Sequence, residues 1–102
     1  MTITKKEKFE CDGRYEAEKL AALVSVQKDG AVYVDGVAAV IGSEVVIKLK
    51  DKSSHAVVLK DKESAARLKA LLADVSAGRA TILGSDFEGP VAEITTTAVS
   101  SG

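Results

Sequence analysis

The stretch 44-EVVIKLKDKSSHAVVLKDKESAARLKALLADVSAG-78 decides the fold. Val45, Ile47 and Leu49 alternate with Lys48 and Lys50, the period of a half-buried strand. In His55–Lys60, Val57 and Leu59 share one face and Lys60 takes the other. A slip of one residue would turn every side chain to the opposite face. Ile47 and Leu49 therefore join Val57 and Leu59 only if paired residue numbers have an even sum. That demands a loop of odd length around Lys52–Ser54. Asp61 then offers a carboxylate to the first free N–H groups of a helix. Ala65, Leu68, Leu71, Leu72 and Val75 recur at intervals of three and four, while Lys62, Arg67, Lys69 and Asp74 face away. Gly78 supplies the residue best suited to a left-handed stop. The spacing predicts a helix over 62–77.

Working outward, three Asp-Gly pairs punctuate the first part of the chain, at 12–13, 29–30 and 35–36. Asp-Gly favours the centre of a tight hairpin turn, so a meander of short strands is expected there, with Val37–Ile41 as one of them. Tyr15–Leu23 reads two ways. Tyr15, Leu20, Leu23 and Val24 suit a short helix, while Leu20, Ala22, Val24 and Val26 alternate as a strand does, and strand is the expectation beyond about residue 19. Downstream, Ala80–Leu83 and Val91–Val99 read as strands around a Gly84–Pro90 loop. The expected architecture is α+β: a mainly antiparallel sheet of about six short strands packed against one main helix, 62–77. The 102 residues make room for a single domain, 1–102, with short polar ends at 1–8 and 100–102. Those ends are expected to be held by neighbouring molecules, so that deleting 1–8 or 95–102 would weaken assembly and spare the fold.

The core draws on 13 Val, 15 Ala, 8 Leu and 5 Ile, with two Phe, two Tyr and no Trp. Small side chains bury less area each than aromatics do, so support from other subunits is a natural expectation. No apolar run approaches the roughly 20 residues of a membrane span, and no signal-peptide pattern is seen. The expected location is cytoplasmic or virion. One cysteine and one histidine exclude an internal disulfide, a cysteine zinc cage and paired histidine ligands.

Gly30, Gly36 and Gly42 stand six apart, but the period stops at Lys48, too short for a β-helical solenoid. There is no GxxxxGK[ST] and no GxGxxG leading from a strand into a helix, and the secure helix start carries acids that repel phosphate. His55 has no nucleophile identifiable as its partner and reads as a solvated turn residue. Cys11 alternates with Phe9 and reads as a small core residue. Asp86 and Glu88 form an acid pair before Pro90, with too few oxygens nearby for a calcium loop. No catalytic residue, cofactor or metal is expected, and the chain is not expected to be an enzyme.

Charge is segregated. The whole chain is nearly neutral at −1, which argues against a dedicated nucleic-acid binder. Yet residues 48–69 hold seven bases and three acids. Lys48, Lys50, Lys60, Lys62, Arg67 and Lys69 are therefore the expected partner-binding basic face. It would meet nucleic acid or an acidic protein, or protect a sheet edge from aggregation. From the aromatic-poor core and the charge pattern, the leading expectation is a non-catalytic assembly protein. It would be a homo-oligomer binding itself or another protein, such as a structural component of a phage head or tail. A binding module using the basic face, and a small phage-type inhibitor of a host protein, are the alternatives.

Overall fold

The computed structural model describes residues 2–25 and 34–99, without the side chains of Thr2 and Val99. In chain order the elements are β1 (Thr2–Glu10), α1 (Arg14–Leu23), β2 (Val34–Ile41), β3 (Glu44–Leu49), β4 (Ser54–Val58), α2 (Lys62–Ser76), β5 (Ala80–Glu88) and β6 (Val91–Val99). The α+β class holds, but not the single sheet. The strands form two antiparallel sheets of three, ordered β2-β3-β4 and β1-β6-β5, and there are two helices.

The decisive stretch behaves as its pattern dictates. Ile47 pairs with His55 and Glu44 with Val58, an even-sum register that keeps Val45, Ile47 and Val57 on the buried face. Asp61 caps α2 by accepting from Ser64 N–H at 2.8 Å, and Gly78 follows the helix with φ 81°. Ala65, Leu68, Leu71 and Leu72 are buried.

Elsewhere four expectations are corrected. The strand expected beyond about residue 19 is instead the end of a helix over 14–23. Ala17, Leu20 and Ala21 bury one helical stripe, and Asp12-Gly13 leads into the helix, with Gly13 at its N-cap, in place of a hairpin turn. Asp35-Gly36 lies inside β2, where register shifts absorb the irregularity, and is not a turn. The expected loop 84–90 is mostly β5, which runs to Glu88 before a two-residue turn at Gly89-Pro90. Both two-residue hairpins put a glycine of positive φ first, Gly42 (62°) and Gly89 (56°), which allows the tight primed turns that match strand twist. The expected turn at 29–30 falls outside the described residues.

The polar end is also corrected. Thr2–Lys8 are most of β1, paired along their length with β6, so removing 1–8 or 95–102 would dismantle a sheet.

The chain is built as two intertwined αβββ halves. One comprises α1, β2, β3 and β4; the other comprises α2, β5 and β6, with β1 as its third strand. Each helix packs on the other half's sheet: α1 mainly on β5 and β6, α2 mainly on β2. Phe9, Leu20, Ile47, Leu59, Leu68, Leu72, Ile82 and Ile94 meet between them in one core.

Candidate functional site

The six residues of the expected basic face fall into three pairs. Lys60 and Arg67, both exposed, meet acids of β1. Lys60 Nζ lies 2.9 Å from a Glu10 carboxylate oxygen, which raises the lysine's pKa. Arg67 lies 3.1 Å from Glu7, donates to the Lys8 carbonyl at 3.2 Å and stacks over the Phe9 ring at 5.3 Å. These two residues tie α2 and its lead-in to β1, and much of their charge is answered within the molecule.

Lys48 and Lys69 do converge. They line a cleft of about 390 Å³ with Asp35, Gly36, Val37, Ala73, Ser76 and Ala77, between the β2 edge and the last turns of α2. A Cβ at Gly36 would stand 3.4 Å from Ser76 Oγ, in ordinary contact, so β2 and α2 lie side by side here. Asp35 and the C-terminal turns of α2 bring negative potential to the same cleft, so it is a poor phosphate cradle. Lys50 and Lys62 are exposed, one after β3 and the other at the start of α2.

His55 is exposed, and its Nε2 lies 3.1 Å from Ser53 Oγ, a partner that the sequence did not identify. Ser53 Oγ in turn donates to Asp51, whose carboxyl is held below its ordinary pKa by the hydroxyl and backbone N–H of Ser53. The order is wrong for a nucleophile. A serine that gives its proton to the carboxylate cannot also be deprotonated by the imidazole.

Cys11 is 4% exposed, and burial, aided by the Glu16 charge, raises its pKa to about 11. It remains a thiol at neutral pH, without the character of a nucleophile. Asp86 faces Glu93 across the β5–β6 pair, and Glu93 faces Lys8 on β1. With Glu88 these line a shallow recess of about 280 Å³. Among the described residues, no group of three or more His, Cys, Asp or Glu is placed to hold a metal ion.

What the sequence did not disclose is the outer face of β2-β3-β4. Opposite the buried Val45 and Ile47, cross-strand rows place Ala39 beside Val46 and Ala56, and Ile41 beside Glu44 and Val58. Ile41 is 67% exposed, Ala39 is exposed, and Val46, Ala56 and Val58 are half-buried. At the β4 edge Lys19 donates to the Ala56 carbonyl at 2.7 Å and Glu16 accepts from Val58 N–H at 3.2 Å. The edge is thereby closed to strand addition while the face stays open. The signal in the sequence was VVI at 45–47: an apolar residue at 46, between two core residues, marks a strand apolar on both faces.

No helix among the described residues is long and apolar enough to cross a membrane. No protein-family model, curated protein or solved structure matches the chain.

Proposed function

We propose that the protein is a non-catalytic assembly module that works by binding copies of itself, as a homo-oligomeric structural component. The observation that carries this reading is the outer face of β2-β3-β4, where the exposed Ile41 and Ala39 and the half-buried Val46, Ala56 and Val58 gather around Glu44. Apolar side chains gathered on one outer sheet face mark a contact surface more often than scattered ones do. A core poor in aromatics adds weight, because burial against a second subunit supplies area that the chain lacks on its own.

Light scattering on a sizing column, at low and at high salt, tests the reading. A defined oligomer at both is expected, since apolar burial is not screened. A monomer at every concentration would overturn it. The exposed Lys50 and Lys62, which make no ion pair among the described residues, favour a second reading, binding of an acidic partner or nucleic acid. Its mark would be affinity that falls steeply with salt.

A further inference from the structure

We infer that two copies of the chain pack face to face through the outer face of β2-β3-β4, about a two-fold axis that crosses β3 at Val46. The inference rests on the self-association reading and names its surface, its register and its partner.

The argument begins with alternation along β3. Glu44, Val46 and Lys48 lie opposite the buried Val45 and Ile47, so one face of the strand reads acid, apolar, base. Neither Glu44 nor Lys48 has an ion-pair partner among the described residues. With their β3 strands aligned, two such faces can be stacked about a two-fold axis in the plane between them in two ways. An axis along the strands sets Glu44 against the partner's Glu44 and the lysines against each other, which is repulsive twice over. An axis across the strands reverses one copy and sets Glu44 against the partner's Lys48, attractive twice over. In an isologous interface each contact occurs twice, so the choice is doubly weighted. Val46 then meets its own counterpart on the axis, and Ile41 and Val58 flank Glu44.

Size sets the strength. Three strands at about 4.8 Å spacing and six residues at about 3.3 Å give a footprint on the order of 250 Å². A stable interface buries roughly 800 Å² per partner. The dimer is therefore expected to be concentration-dependent.

Sedimentation velocity from micromolar to near-millimolar chain tests the register. E44K and K48E each replace two attractions by two repulsions and should weaken association by about tenfold at low salt. The double exchange E44K/K48E should restore it, and an equimolar mixture of the two single variants should form a heterodimer in preference to either homodimer. V46K should abolish dimerisation, with the circular dichroism spectrum and melting cooperativity of the parent as the folding control. If the parent associates while V46K and the charge variants do so equally well, this face is wrong and the self-association reading stands. If V46K dissociates the dimer but the exchange fails to restore it, the face is right and the register is overturned. A parent that stays monomeric throughout removes both.

Discussion

Cys11 and Leu59 face each other in a single antiparallel bridge that joins the two sheets, and they stand 48 residues apart. Asp12 N–H donates to Val58 and Lys60 N–H to Glu10, while Cys11 N–H donates to Pro90 and Leu59 N–H to Ser43. Every bond on one side has its counterpart on the other. The same 48-residue offset relates the N-caps Gly13 and Asp61 and the core pair Leu20 and Leu68. It extends to side chains: Lys19 donates to the Ala56 carbonyl, and Arg67 to the Lys8 carbonyl. The chain is thus an approximate two-fold object whose axis passes between Cys11 and Leu59.

The place of Cys11 beside that axis gives it a pH signature. Its thiol pKa is raised to about 11 from an ordinary 9.0, chiefly by burial. A raised folded-state value favours the protonated form. The stabilisation is complete below about pH 9 and is lost as pH rises toward 11. The parent should lose on the order of 2 kcal/mol across that window relative to C11A, read from urea unfolding midpoints at pH 8 and pH 11. A parallel loss in C11A would assign the decline to other groups. Ellman's reagent should label Cys11 at neutral pH only as fast as the protein opens.

Arg67 ties α2 to β1. Its guanidinium bonds a backbone carbonyl and lies over Phe9 as well as meeting Glu7. An exposed ion pair contributes little and fades in salt, whereas a bond to an edge carbonyl and ring stacking persist. R67A should cost about 1 kcal/mol, most of it still measured in 1 M NaCl. R67K should recover only part, because an ammonium cannot serve the carboxylate and the carbonyl with one planar group. A loss that vanishes in high salt would reduce Arg67 to a surface charge.

The two helices show what was legible in the sequence and what was not. In α2, Asp61, a five-residue apolar stripe and Gly78 agree, and the helix was readable end to end. In α1 the stripe Ala17, Leu20, Leu23, Val24 matches Ala65, Leu68, Leu71, Leu72 at the 48-residue offset, yet no capping side chain announces its start. Leu20, Ala22 and Val24 also satisfy a strand period, and tertiary packing on β5 and β6 decided between them. The strand register of β3 and β4 was fixed by which face is apolar, a local property. The split into two sheets depends on β1 pairing with β6 across almost the whole chain, which no local pattern records. The ion pairs within the expected basic face were hidden for a related reason. Lys60 and Arg67 pair with Glu10 and Glu7, some 50 and 60 residues away in sequence.

Lys52 is the one described non-glycine residue with positive φ, at 73° in the β3–β4 loop. A lysine there bears the crowding of its Cβ against the backbone, which glycine escapes. Glycine also gains freedom in the unfolded chain, which works against the substitution. The local strain is the larger effect, so K52G should stabilise the protein by roughly 0.5 kcal/mol, measured as a shift in urea midpoint at unchanged slope. K52A should give no gain. Equal effects of the two would show that the backbone is not strained at this loop.

The two-fold relation makes the two N-caps a controlled comparison. Asp61 has extended backbone (φ −152°) and accepts from Ser64 N–H; Gly13 is also extended (φ −176°) and has no side chain to accept with. Any residue adopts that conformation, and a Cβ at Gly13 would meet nothing within 4 Å. Gly13→Asp should therefore recreate in α1 the cap that α2 has, stabilising the fold by a few tenths of a kcal/mol. The two sites should also respond alike to acid. The Asp61 carboxyl is held below its ordinary pKa by the bonds from Ser64, so its stabilisation is present above about pH 4 and disappears as pH falls through the folded-state value. The gain from Gly13→Asp should vanish over that same interval, and D61N, which caps without titrating, should flatten the acid limb of the parent. A gain from Gly13→Ala as large as that from Gly13→Asp would mean that loss of glycine freedom, and not capping, is responsible.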